Sequence, residues 1–219
     1  EFVGVSNLLP AYSDPEFRGE KLLTGASFGS SGSGYARSTA HNFNVLPLEK
    51  QVNNFRKYKA QLVNMVGQEY AVKIVSEALF GISTGTNDFT NNYYLNPLTK
   101  SNNYSVEGFQ NLLIHSLTVF IQNIFSEGCT KLVIIGLPPF GCLPSQITLH
   151  NLLGNTCVEE FNEVAMSFNA KIKSLAAKMM LNHRDLRIVY FDIYDTLVDT
   201  VNFPFKYGFR ETRKGCCGT

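Results

Sequence analysis

No uninterrupted apolar run in this chain of 219 residues approaches the roughly 18 residues that a membrane-crossing helix needs. Charge is scarce as well. Asp, Glu, Lys and Arg make up 17% of the residues, and 19 basic against 18 acidic side chains leave a net charge of +1. A nucleic-acid surface needs clustered basic residues, so no nucleic-acid partner is expected. The five cysteines (129, 142, 157, 216 and 217) contain no Cys-x-x-Cys, and the four histidines (41, 115, 150 and 183) are scattered. Neither set has the ligand spacing of a zinc site, so no metal is expected. Phosphate-binding signatures fail too. The glycine order at Gly29, Gly32 and Gly34 is Gly-x-x-Gly-x-Gly rather than Gly-x-Gly-x-x-Gly, and no Gly-Lys-Ser/Thr follows. A nucleotide-binding α/β protein therefore rests on a glycine-rich loop alone.

What is present is an alternation of helical and strand patterns. Leu22–Phe28, Ala78–Thr84, Lys131–Leu137 and Leu186–Ile193 read as strands; Lys131–Leu137 is continuously apolar, as a parallel strand covered on both faces would be. Between them, Leu48–Val66 and Glu69–Glu77 read as helices broken at Gly67. A longer helix is expected from a Ser105 cap through Glu127, ended by Gly128. Thr156-Cys157-Val158-Glu159 has the capping-box pattern and should open a helix buried through Val158, Phe161, Ala165, Phe168, Ile172, Leu175 and Met179. Such alternation predicts a parallel sheet with helices on both faces. With 44% apolar residues the chain can bury one core, and residues 1–219 are expected to form a single domain. Asn91–Tyr104, polar and rich in Asn and Tyr, reads as a loop over a crevice.

Two loops follow predicted strands. Gly25–Tyr35 holds four glycines in ten residues, a backbone suited to tight turns and anion-binding N–H groups, or simply to a surface loop. Gly85-Thr86-Asn87-Asp88 places an asparagine just past a strand end, where its amide can stabilise an oxyanion or merely cap a helix. In a parallel sheet, loops leaving the carboxyl ends of strands share one edge, and ligands bind there. The Gly25–Tyr35 loop and the Asn87 loop are thus candidates for one shared site.

These segments resemble the plant GDSL-type esterase/lipases of the SGNH hydrolase superfamily. Further matching pieces are Leu9-Pro10-Ala11-Tyr12, Gln51–Tyr58, Asn92-Tyr93-Tyr94, Gly136–Pro144, Phe168-Asn169, Asp192-Ile193-Tyr194, Tyr207-Gly208-Phe209 and Lys214–Gly218. Their order and spacing run through nearly the whole chain. The resemblance implies an α/β fold, a three-layer αβα sandwich with a parallel, flavodoxin-like sheet, incomplete at both ends. It implies a carboxylic ester hydrolase acting on small-molecule esters or lipids through a serine acyl-enzyme, with no metal or organic cofactor. It makes Gly32 and Asn87 oxyanion-hole residues. Ser31, Ser33, Asp88 and Phe89 become candidates for the substrate pocket, and Phe89, Tyr93 and Tyr94 are read equally as an acyl or aromatic pocket or as buried packing.

The other two catalytic blocks of that family do not occur in these residues. There is no Gly-Asp-Ser. The six aspartates (14, 88, 185, 192, 195 and 199) are followed three places on by Phe, Asn, Ile, Asp, Val and Asn, so there is no Asp-x-x-His. The expectation is that the serine block precedes residue 1 and the acid and base lie beyond Thr219. The serines at 30, 31 and 33 are not set as Gly-x-Ser-x-Gly and are read as lining rather than attacking. Asp88 is read as a neighbour that caps or orients.

The hypothesis for the cysteines is a Cys142–Cys157 disulfide, with Cys216 or Cys217 pairing outside the chain; five reduced thiols in a cytosolic protein are the alternative. Asn103-Tyr104-Ser105 is a glycosylation sequon and adds mild support to the secreted, monomeric protein that the resemblance implies. A non-catalytic binding protein on the same fold stays open as the rival.

Overall fold

The computed structural model describes residues 8–95, 104–151 and 156–215. Its centre is a parallel sheet in the order β1 (Leu79–Ile82), β2 (Lys131–Ile135), β3 (Arg187–Phe191). Leu79 lies beside Lys131, and Lys131 beside Arg187; at the other end Ile82 meets Ile134, and Ile135 meets Phe191. Each step from strand to strand runs through a helix, because parallel neighbours need a crossover. Val106–Ser126 (α4, after α1 Arg37–Asn42, α2 Leu48–Val66 and α3 Gln68–Glu77) links β1 to β2. Pro144–His150 (α5) and Glu159–Asn182 (α6) link β2 to β3, and Tyr194–Asn202 (α7) follows it.

Side chains alternate across a strand, so the register defines one face made of Phe80, Ile82, Leu132, Ile134, Ile188 and Tyr190. That face is packed by α2, α4 and α6. Phe80 meets Phe55 edge-on at 5.3 Å, while Ile82, Leu132 and Ile134 share a core with Leu113, Leu117 and Ile121 of α4 and Phe168 and Ile172 of α6. The other face carries Leu79, Val189 and Phe191, which are 68%, 57% and 54% exposed. Ser105 caps α4 by accepting from the Gly108 N–H at 3.0 Å.

Three local expectations are corrected. Leu22–Phe28 is not a strand. Gly19–Thr24 is a 3₁₀ helix, and only Ser27 pairs, in a parallel bridge to Ala11. The Thr24 hydroxyl donates to the Lys21 carbonyl (2.9 Å), and Leu22 is buried in a satellite cluster with Phe17, Phe55 and Tyr58, so local bonding and packing both favour the turn.

The capping box at Thr156 is not used. Its hydroxyl accepts instead from the Asn151 amide (2.9 Å), the Val158 N–H donates to the Gly141 carbonyl (2.9 Å), and α6 begins only at Glu159. Cys157 is held to Cys142 by a disulfide, with Cα atoms 4.3 Å apart, and this tether sets the entry to the helix.

Finally, Asn91, Asn92 and Tyr93 are not loop residues. They complete a π-helical turn, Asp88–Tyr93, in which the Tyr94 N–H reaches the Phe89 carbonyl at 2.9 Å. The rest of the expected loop, residues 96–103 with Asn103, lies outside the described residues, as do Cys216 and Cys217.

Candidate functional site at the carboxyl edge of the sheet

The site begins where β1 ends. Ser83 and Thr84 leave the strand and Gly85 turns the chain at φ +117°, a value that L side chains avoid. A Cβ there would stand 2.8 Å from Leu137 and 2.9 Å from the Tyr35 ring, so only glycine lets the loop close against both. The π turn follows at once, a distortion that often accompanies functional sites.

Gly32 lies in a turn of its own. The Ser33 N–H donates to the Ser30 carbonyl at 3.1 Å, and Gly32, the third residue of that turn, has φ +84°, the type II geometry that calls for glycine. Ser30 is held by the Leu46 N–H, which donates to its hydroxyl at 3.0 Å. Ser33 accepts at 3.3 Å from Gln51. Among the described residues the Gly32 N–H donates to no protein atom.

The two loops touch. Asn87 donates from Nδ2 to the Ser33 carbonyl at 2.9 Å, and its Oδ1 accepts from the Asn91 amide at 2.9 Å. A carboxamide nitrogen carries two protons, so one of the Asn87 donors is left over. Ser31 is exposed beside this contact, and Ser33 is buried beneath it.

Asp88 and Phe89 have no exposed surface, which fits the orienting reading of Asp88 and the packing reading of Phe89. Asp88 is a clamp. Its carboxylate accepts from the Tyr35 N–H (2.7 Å), the Ala36 N–H (2.9 Å) and the Thr39 hydroxyl (2.6 Å), and so holds the start of α1. Burial pushes its pKa up to about 6, against the pull of those three hydrogen bonds. Burial, with the Asp88 charge behind it, also raises the Tyr35 phenol. Phe89 is core: its ring stacks on Phe140 at 5.5 Å and meets Phe168 edge-on at 5.4 Å. Tyr93 is likewise packed, against Phe109, and Tyr94 against Phe161.

Sequence reasoning missed the amides that brace this edge. Asn92 donates to the Ser38 and Thr39 hydroxyls, each at 2.9 Å, which ties the π turn to α1 a second time. Asn169 of α6 accepts from the Leu137 N–H (2.7 Å) and donates to the Leu137 carbonyl (3.0 Å), pinning the chain just past β2. The only signal for Asn91 was its place four residues after Asn87. Asn169 was marked only as part of the Phe168-Asn169 match to the family, with no structural role, because an asparagine in a helix is usually exposed.

Two serines, Ser27 and Ser83, do stand in Gly-x-Ser-x-Gly sequences. A nucleophile elbow strains its serine into a sharp turn. Among the described residues only Asn44 (φ 51°) is a non-glycine at positive φ, and Ser27 lies in extended pairing with Ala11. Neither serine has the elbow's geometry. The histidines give no base next to them: His41, His115 and His150 are exposed, and His183 lies against Phe125.

A family model described as GDSL-like lipase/acylhydrolase matches residues 2–219. The chain belongs to that family. It is 40% identical over 219 residues to GDSL esterase/lipase APG of Arabidopsis thaliana and 38% identical over 220 residues to a second GDSL esterase/lipase of the same plant. Both matches cover 100% of this chain but only 62% of the relative, so the chain spans less than two thirds of the curated relatives' length. The family is one of ester-bond hydrolases, and its α/β fold with a parallel sheet flanked by helices is the fold seen here.

Proposed function

We propose that these residues are the middle of a carboxylic ester hydrolase and supply two donors of its oxyanion hole, the Gly32 N–H and the Asn87 side-chain amide. The observation that carries the reading is the Asn87–Ser33 hydrogen bond of 2.9 Å, which sets the amide beside the Gly32 turn with one proton to spare. In the whole protein a serine attacks the acyl carbon, an Asp/His pair activates it, and the negative oxygen of the tetrahedral intermediate is held by three donors, the third being the nucleophile's own N–H. Neither Gly-Asp-Ser nor Asp-x-x-His occurs in the 219 residues, so they alone are expected to hydrolyse no ester above background.

Acyl esters or lipids are the proposed substrates, carried over from the relatives' printed names. A secreted, monomeric single domain is proposed alongside. The Cys142–Cys157 disulfide supports the secreted part, because such bonds persist in oxidising compartments.

The test is Asn87→Ala in the full-length protein with a short-chain nitrophenyl ester. The expected result is a fall in kcat of about 10²- to 10³-fold with KM within a few-fold, as for loss of one oxyanion donor. Unchanged turnover would remove Asn87 from the mechanism. Turnover by the 219-residue chain that Asn87→Ala abolishes would mean a different nucleophile.

A further inference from the structure

We infer that Asn91 is a positioning residue that fixes which way the Asn87 carboxamide faces, an inference that rests on the oxyanion-hole reading of Asn87. The Ser33 carbonyl can only accept, so the Asn87 atom 2.9 Å from it is the nitrogen. Asn87 Oδ1 then faces Asn91, and only a donor is tolerated there; Asn91 Nδ2 supplies it at 2.9 Å. Turning the Asn87 amide over would set oxygen against oxygen at Ser33 and, unless Asn91 turned with it, nitrogen against nitrogen at Asn91. The Ser33 carbonyl thus selects the orientation that leaves a proton free for a substrate oxygen, and the Asn91 donor holds the other end of the amide in it.

The π turn is what makes this possible. Asn91 lies within Asp88–Tyr93, and the same turn holds Asp88 on the Tyr35 and Ala36 N–H groups and Asn92 on Thr39. The turn is thus fastened on both flanks of Asn91. Asn91 touches the proposed donor and not the substrate, so it acts through Asn87.

The test reads the Asn87 amide directly. In the asparagine-labelled ¹H–¹⁵N spectrum of the full-length protein, the Asn87 side-chain pair is expected to be well separated and slow to exchange. Asn91→Ala should shift that pair and speed its exchange, since only the bond to the Ser33 carbonyl then holds the amide. Asn123→Ala, which removes an exposed amide bonded to the Val119 carbonyl at 2.9 Å, should leave it in place. Asn91→Asp guards against a variant that fails to fold. Its carboxyl can donate to Asn87 only when protonated, so the native Asn87 signals should return below about pH 4 and vanish above it. In the full-length protein Asn91→Ala should lower kcat about tenfold with KM little changed, and Asn87→Ala/Asn91→Ala should be no slower than Asn87→Ala alone. An Asn87 pair indifferent to both Asn91 variants, or equal losses with and without Asn87, overturns the inference. Normal turnover in Asn87→Ala would instead defeat the hydrolase reading, whatever the spectra show.

Discussion

Asn87 reaches across 54 residues of sequence to donate to the Ser33 carbonyl, and immediately below it Asp88 takes the Tyr35 and Ala36 N–H groups. Neighbouring side chains at the entry to one π turn therefore grip neighbouring stretches of one glycine-rich loop. The part-buried grip of Asn87 is the one proposed to meet substrate. The buried one sets the distance at which the loops stand, and its energetics can be tested without any catalytic assay.

Gly34 is the place to break that spacing. Its φ is not positive, so alanine is acceptable to the backbone there, but a Cβ would fall inside contact distance of all three Asp88 carboxyl atoms. Gly34→Ala should destabilise the fold by about 3 kcal/mol through overpacking, measured as a lower urea midpoint at unchanged m-value. Asp88→Ala removes the obstructing group, so the double variant should be more stable than the sum of the two single losses. Strict additivity would mean that the clash with Asp88 is not the cause.

The same carboxylate should leave a mark on the pH dependence of stability. Its folded pKa of about 6 lies above the ordinary aspartate value, because burial penalises the charge more than three hydrogen bonds favour it. Between pH 4 and 6 the native state thus holds more protons at this position than the unfolded state. Its contribution to stability is fully present below about pH 4 and is lost as pH rises through about 6, by at most about 3 kcal/mol. Thermal melts of the wild type and Asp88→Asn across pH 4 to 8 should differ in slope over that window and run parallel above it. Parallel curves throughout would place the Asp88 pKa at its ordinary value.

Much of this edge was legible in the residues. The strand before Gly85, the apolar run of β2 and the faces of α4 and α6 follow from hydrophobic periodicity, which depends on near neighbours alone. Asn87 is a candidate because an asparagine past a strand end is a local signal, whereas Gly32 is singled out among the loop's glycines by the family resemblance alone. What stayed hidden depends on partners distant in sequence. Leu22–Phe28 has the residues of a strand, yet the packing of Leu22 on Phe17 and Tyr58 favours a 3₁₀ turn. Thr156 has the letters of a cap, yet the tether from Cys157 to Cys142 moves the helix start. Phe89 could be read as pocket or as packing, and what decides is distant in sequence: its ring is enclosed by Phe140, Phe109 and Phe168.

Asn169 shows how a remote amide supports the site. It satisfies both backbone groups of Leu137, and Leu137 in turn packs against Gly85 at the start of the Asn87 loop. Asn169→Leu keeps the branched shape, with somewhat bulkier methyl groups, but orphans a buried N–H and a buried carbonyl together. The expected cost is about 2–5 kcal/mol in urea unfolding. Asn169→Asp retains the bond from the Leu137 N–H but sets a carboxylate oxygen against the Leu137 carbonyl, so it should be destabilised at neutral pH and partly recover in acid, where the carboxyl can donate. A neutral Asn169→Leu variant would show that Leu137 finds other partners.

The disulfide bears on the same edge from the far side of β2. Cys142 ends the short 3₁₀ segment Phe140–Cys142, and its bond to Cys157 closes a loop of sequence separation 15 next to the start of α6. Asn162, one turn into α6, accepts from the Gly141 N–H at 2.9 Å, so the helix is fastened to that segment by a hydrogen bond as well. Closing a loop of that length restricts the unfolded chain by about 3 kcal/mol. Cys142→Ser/Cys157→Ser, or reduction of the wild type, should therefore lower the melting temperature by several degrees while far-UV circular dichroism below the transition stays native, because the hydrogen bond persists. Cys129 is buried and its thiol is pushed up to about 12, so it should neither react with a thiol probe in the native state nor exchange with the bridge. Labelling of Cys129 before unfolding, or a melting temperature indifferent to reductant, would contradict this account.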